Sequence, residues 1–167
     1  MLGVPYFLQY VLFVDSYVSF GCESTFWIDS AMLPVQPLEP MFHRVEMAGA
    51  VFLSDRINQS THLLPATRNV LHALTGTDSI DSTLHIPGGV LGFQLSSPLA
   101  FRFVQRVYQF AALGTPFLSC YPNEFVHTHL FLMPDFQHLL TVPLSPPLAL
   151  WGPDAKSAFF KFLKGRR

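Results

Sequence analysis

The sequence predicts an α/β fold, and three observations carry that prediction. Short apolar runs alternate with capped or amphipathic segments in the order strand, strand, turn, strand, helix, strand, helix, which is the pattern of α/β layering. Charge is scarce: 13% of the 167 residues are charged and 50% are apolar, with mean hydropathy +0.33. An ordinary soluble domain carries about 25% charge, so the apolar runs read as strands buried on both faces of a sheet. Glycines and prolines stand where such elements should start and stop.

Taken in order, Tyr6–Val14 reads as the first strand. Its core, Tyr10–Val14, is aromatic and β-branched and runs into Asp15. A signal anchor over Met1–Phe20 is the alternative. Pro5, Gln9 and Asp15 interrupt that window, and a span needs about 20 mostly apolar residues. The window also lacks the basic start and small-residue cleavage site of a signal peptide. Thr25–Asp29 is a second short run that ends in an acid. Over Leu33–Phe42, Pro34, Pro37 and Pro40 exclude a regular strand or a long helix, leaving an extended link and one helical turn from Pro37. Ala48–Leu53 is a further strand, closing at Ser54-Asp55-Arg56.

Pro65–Leu74 has a proline at a helix start and Gly76 just past its end. A polar loop over Gly76–Thr83 follows, and then a strand over Gly88–Phe93 opened by a glycine pair. Ser97–Leu113 gives the strongest signal. Ser97 can cap it, Pro98 suits its first turn and Gly114 its stop. Ala100, Phe103, Val104, Val107 and Ala111 share one face, while Arg102, Gln105, Arg106 and Gln109 line the other, so this is a packing helix. Glu124–Leu132 reads as a helix. Val142–Pro153, with four prolines, reads as an extended wrap, and Asp154–Lys164 as a terminal helix capped by Asp154 that buries Phe159, Phe162 and Leu163. The whole of 1–167 is expected to form one domain, with 143–167 as its Pro-rich wrap and basic terminal helix.

Composition removes several function classes. Low charge and many aromatics exclude a disordered chain. A pI of 6.6 without a basic cluster in the body argues against a nucleic-acid binder. Two cysteines exclude a disulfide scaffold or a Cys-rich zinc module. Residues 156–167 hold five basic groups and no acid, leaving five basic against eleven acidic groups elsewhere. Such a basic tip is a solvated helix end, a membrane-surface contact or a cleavage or retention signal.

Walker, G-x-G-x-x-G, G-x-S-x-G and H-E-x-x-H motifs are all missing from the sequence. His127 and His129 diverge on a helix and share a face only on a strand, so core or surface histidines are expected there rather than metal ligands. Cys22 and Cys120 have no activating neighbours and read as inert thiols. The informative feature is an acid at the end of an apolar run, at Asp15 and again at Asp29. In open α/β sheets ligands bind at the carboxyl ends of strands. A carboxylate there can hold a divalent metal on a phosphate leaving group; a turn Asp or a helix cap is the plain alternative.

The stretch Phe26-Trp27-Ile28-Asp29-Ser30-Ala31-Met32-Leu33-Pro34-Val35-Gln36-Pro37-Leu38-Glu39-Pro40-Met41-Phe42 resembles the metal-binding segment of GT-A-fold glycosyltransferases. In that family an apolar strand ends in Asp-x-Asp, and an apolar-Pro-apolar link and a Leu-x-x-Leu/Met-Phe turn follow. Ala48–Arg56 is similar to the next strand of Golgi α-mannosyltransferases and their relatives. Pro87–Phe93, with Pro98-Leu99-Ala100 and its helix, is similar to their acceptor-side strand and helix. The glycosyltransferase domain of collagen lysyl hydroxylases offers a second register, with Phe13-Val14-Asp15-Ser16-Tyr17 as the metal strand. The resemblance covers roughly residues 25–112.

It implies a partial GT-A (Rossmann-like) fold, a mixed sheet with flanking helices, that transfers a sugar from a nucleotide-sugar donor to a glycan or glycoprotein acceptor. Asp29 would ligate Mn²⁺ on the donor diphosphate. Ser30, Asp55, Gly88 and Gly89 would contact substrate, the glycines by letting the backbone approach the sugars; for Asp55 the plain alternative is that it closes its strand by pairing with Arg56 or a backbone amide. Glu124 would be the base or an acceptor contact; a carboxylate at a helix start is the plain alternative. A Golgi or other secretory-pathway compartment follows from the family, and the sequon Asn58-Gln59-Ser60 is compatible with it.

The chain departs from the family in three places. The second acid of Asp-x-Asp is Ala31, or Tyr17 in the other register. The Ser of the acceptor-side strand is Gly88. Only 28 residues precede Asp29, so much of the nucleotide-binding half is missing. The expectation is therefore a fragment or an inactive relative, whose apolar content is core sheet left uncovered. The second function class is a non-catalytic interaction or membrane-associated module with an exposed apolar surface.

Overall fold

A three-stranded antiparallel sheet lies between helices. The structure, a computed structural model, describes residues 4–30, 32–52, 63–77, 86, 88–118, 122–139, 149–150 and 160–162. The strands of this sheet are β1 (Ser24–Ile28), β4 (Val90–Gln94) and β3 (Ala50–Phe52), in that spatial order with β4 central. Across β1 and β4, Phe26 faces Gly92 and Trp27 faces Leu91; across β3 and β4, Val51 faces Gly92 and Phe52 faces Leu91. A second small sheet joins β2 (Met32–Pro34), β6 (Phe160–Phe162) and β5 (Ala149–Leu150), with β2–β6 antiparallel and β5–β6 parallel.

Strand alternation sends side chains to two different layers. On one face Phe26 and Val51 meet Met41 and Val45 of α2 (Glu39–Ala48), and Phe42 of α2 meets the Phe26 ring edge-on, with centroids 4.9 Å apart. Gly92 makes this packing possible. A Cβ there would stand 2.7 Å from Phe26 Cζ and 2.8 Å from Val45 Cγ2. The helix itself ends where Gly49 takes φ +82° and donates its N–H to the Val45 carbonyl at 2.8 Å.

The other face carries the main core: Ala50, Phe52, Leu91 and Phe93 pack on α1 (Val4–Phe20), α4 (Pro98–Leu113) and α5 (Pro122–Leu132). Aromatic rings run through it in a chain. Phe13 meets Phe93 edge-on at 5.3 Å, Phe93 stacks on Phe103 at 5.5 Å, and Phe103 lies 4.2 Å from Phe131, which lies 4.3 Å from Phe52. Each buried phenylalanine contributes about 1.5–3 kcal/mol of transfer free energy, with about 0.5–1.5 kcal/mol more for a well-placed ring pair. The fifth helix, α3 (Pro65–Thr75), buries Thr67, Leu71 and Thr75 and ends at Gly76.

The α/β class therefore stands, while four sequence expectations are corrected. Tyr6–Val14 is not a strand; it lies in helix α1, which runs on to Phe20. Tyr10, Phe13 and Tyr17 recur at helical spacing and all pack inward, so tertiary burial of that stripe outweighs a β-leaning composition. Asp15 thus ends no strand. It sits exposed on α1 and accepts the Ser19 hydroxyl at 2.5 Å, which removes the second register for the metal strand. The single turn expected from Pro37 is a ten-residue helix, because Pro40 falls in its first turn, where no backbone N–H is needed. The short strand β2 ends on Pro34 in a stretch read as strand-free. At the far end, 160–162 are strand rather than terminal helix, because ladder bonds to β2 and β5 engage their backbone. The other residues of 154–164 lie outside the described residues, as do 142–148 and 151–153 of the wrap.

The strand expected over Ala48–Leu53 is β3 from Ala50 to Phe52, with Ala48 ending α2, and 78–83 of the expected polar loop lie outside the described residues, as does Leu53. In α4, Ala100, Phe103, Val104, Val107 and Phe110 are buried and Ala111 is half-buried; Arg102, Gln105 and Gln109 are exposed. Ser97 occupies the cap position without its hydroxyl forming a cap hydrogen bond.

Candidate functional site

The carboxyl end of β1 is tied directly to the amino end of β4. Asp29 donates its backbone N–H to the Gly89 carbonyl at 2.8 Å, one residue beyond the Ile28–Val90 pair. The chain then turns, with Met32 N–H bonding the Asp29 carbonyl at 2.9 Å. Asp29 and Ser30 are exposed, and the Ser30 hydroxyl lies 3.5 Å from Asp29 Oδ1.

Gly88 carries the contact onward to α5. The buried Asn123 side chain fills the space a Cβ at Gly88 would take, with its Cγ 3.0 Å and Oδ1 3.3 Å from that point. Ile86 donates its N–H to Thr128 Oγ1 at 3.2 Å, and that hydroxyl donates to the Glu124 carbonyl at 2.9 Å. The approach to the glycine pair is therefore laced to the first turns of α5. Glu124, half-buried, follows Asn123 in that first turn.

Of the residues singled out from the sequence, Asp29, Ser30, Gly88 and Gly89 share one end of the sheet. Glu124 is the next residue after the side chain that touches Gly88. Asp55 lies outside the described residues, as do Arg56, the 58–60 sequon, Ala31 and Cys120. Cys22 is exposed.

Asp29 alone is no cage for a hard cation, which takes six or more oxygens. Among the described residues no three His, Cys, Asp or Glu side chains gather as a metal site. An exposed carboxylate fits only a shared site, in which substrate phosphates and water complete the shell around one or two protein oxygens.

Sequence reasoning missed a second cluster, because it depends on α1 being a helix. His127 of α5 is fully buried beside the buried Tyr10 of α1, with ring centroids 5.6 Å apart and an edge-on geometry. Among the described residues, neither His127 nitrogen, nor Tyr10 Oη, nor the Nε2 of buried Gln9 has a hydrogen-bond partner of good geometry. Burial pushes His127 down to about 3; the nearby Ile86 backbone opposes this only weakly. His129 bonds instead to the Phe125 carbonyl through Nδ1 at 2.8 Å, so the two histidines serve different partners.

Two grooves flank α4. One of about 640 Å³ lies against α1, lined by Val11, Val14, Val18, Phe101 and Tyr108. Another of about 320 Å³ is lined by Arg102, Arg106, Asp135 and Phe136. Neither includes Asp29 or Glu124. No protein-family model, curated protein or solved structure matches the chain.

Proposed function

We propose that this chain is a glycosyltransferase-like domain with a partial GT-A fold. It would engage a nucleotide-sugar donor at the Asp29 end of the sheet and pass the sugar to a glycan or glycoprotein acceptor. One observation carries the reading. The three segments that resemble the family, around Phe26–Asp29, Ala50–Phe52 and Val90–Phe93, are the three strands of a single sheet. The strand that resembles the acceptor-side one, β4, is central and pairs with β1, so the Gly88-Gly89 pair stands beside Asp29.

In this reading Asp29 is the residue that would hold Mn²⁺ together with the donor, and the ion would supply charge neutralisation at the leaving phosphate. Gly88 and Gly89 would meet the sugar through their backbone, on the side of Gly88 away from the Asn123 side chain. Glu124 accepts the proton of the acceptor hydroxyl as that oxygen bonds to the anomeric carbon, and the sugar–phosphate bond breaks. The natural setting is a Golgi or other secretory compartment.

The test is calorimetric titration with UDP- and GDP-sugars, with and without Mn²⁺. Metal-dependent binding that is lost in Asp29→Ala supports the reading. An Asp29→Ala protein that behaves like the unaltered one sinks it.

A second reading rests on α1. Leu8, Leu12, Val18 and Phe20 are 52%, 46%, 69% and 75% exposed on that helix, beside the 640 Å³ groove. Such a surface suits a non-catalytic module that docks on a partner protein or a lipid surface. No described helix is long and apolar enough to cross a membrane.

A further inference from the structure

We propose that the contact between Tyr10 and His127 is an acid-labile latch, which frees the amino-terminal half of α1 when His127 takes a proton. Buried polar groups in folded proteins are almost always hydrogen-bonded, and each exception calls for a physical reason. Here the exceptions gather where α1 meets α5. Among the described residues Tyr10 Oη has no partner and the His127 nitrogens have none but the nearby Ile86 backbone, although both residues are 0% exposed, and Gln9 beside Tyr10 buries an unpartnered Nε2.

The contact is tolerated while His127 is neutral, because an imidazole edge and a phenol ring pack as aromatics. A protonated ring in the same place would be a buried charge without a counter-ion. Among the described residues no acidic side chain offsets its burial. Tyr10 is the ionisable group facing it from α1. On its own helix the nearest are Glu124 and His129. The ionisable groups of α3 and α4, the neighbouring helices, are Arg68, His72, Arg102, Arg106 and Tyr108, which stay exposed or half-exposed. The short turn at Thr115–Phe117 offers none.

The latch is local because α1 has separate anchors further along. Phe13 packs on Phe93, Tyr17 on Phe101 at 5.5 Å, and the Ser16 and Thr25 hydroxyls meet at 3.1 Å. All of these lie after Tyr10. Residues 8–12 precede these anchors, and Tyr10 among them meets His127.

The direction with pH follows from the depressed proton affinity of the closed state. His127 titrates near 6.5 when freed and near 3 when buried. The closed state is therefore fully favoured above pH 6.5. It loses a factor of ten against the open state for each unit of acidification between these limits.

Hydrogen–deuterium exchange with mass spectrometry, corrected for intrinsic exchange at each pH, tests the proposal. Between pH 7 and pH 5, protection of residues 8–12 should fall roughly thirtyfold, while residues 16–20 and α4 keep theirs. In His127→Phe, which keeps a neutral ring beside Tyr10, that fall should vanish. Should His127→Phe not fold, His127→Gln reads the same quantity. Unchanged protection of 8–12 at pH 5 overturns the latch, as does an equal loss over α4. Persistence of the fall in the His127 variants, where His129 is still present, overturns it too.

Discussion

Adding a methyl group at Gly88 probes the assembly of the candidate site, because Gly88 meets α5 through one side chain. An alanine Cβ there would stand 3.0 Å from Asn123 Cγ, and the amide nitrogen lies closer still. Asn123 is only 7% exposed and cannot swing freely into solvent, so Gly88→Ala must displace the first turn of α5 or the glycine turn. Overpacking of this kind costs about 1–3 kcal/mol. The double-mutant cycle isolates the contact. In an Asn123→Ala background the added methyl has room, and Gly88→Ala should then cost less than about 0.5 kcal/mol, so the coupling energy is most of the single-mutant effect. Urea denaturation at constant m-value measures all four proteins. Equal cost of Gly88→Ala in both backgrounds would refute the packing of the glycine pair against α5.

Other consequences concern the layers on either side of the sheet. Phe103→Ala removes the ring that joins Phe93, Phe131 and Phe136 and should cost about 3–5 kcal/mol in the same assay; a loss below 1 kcal/mol would contradict the aromatic chain. Gly92→Ala should destabilise by at least about 1–3 kcal/mol, since its neighbours are a ring and a β-branched side chain packed on α2. Phe26→Leu should recover part of that loss, and no recovery would place the clash elsewhere.

The parts of the fold legible in the sequence are those whose signals are local. Pro65 and Gly76 frame α3, Pro98 and Gly114 frame α4, and the alternating burial of α4 follows from the spacing of Ala100, Phe103, Val104 and Val107. The run Thr25–Asp29 and the Gly88-Gly89 opening mark two strands, β1 and β4, that pair with each other. What was not legible depends on contacts distant in sequence. Tyr10–Val14 has a composition that suits a strand, but it lies in a helix whose inward stripe packs on Phe93, His127 and α4. The Asn123–Gly88 contact joins residues far apart in the chain and leaves no local trace. The same holds for the buried pair Tyr10 and His127, where the sequence shows a histidine without its surroundings. For the site, Asp29 and the glycine pair could be read from strand ends, while their adjacency required the pairing of β1 with β4.

Paramagnetic broadening by Mn²⁺ in the presence of a nucleotide-sugar tests the placement of the donor site most directly. In amide NMR spectra of the full chain, Mn²⁺ with UDP- or GDP-sugar should broaden the Asp29, Ser30, Gly88 and Gly89 signals first, and Asp29→Ala should abolish the effect. Broadening centred on other residues, or none at saturating donor, would contradict a glycosyltransferase-like site at this end of the sheet.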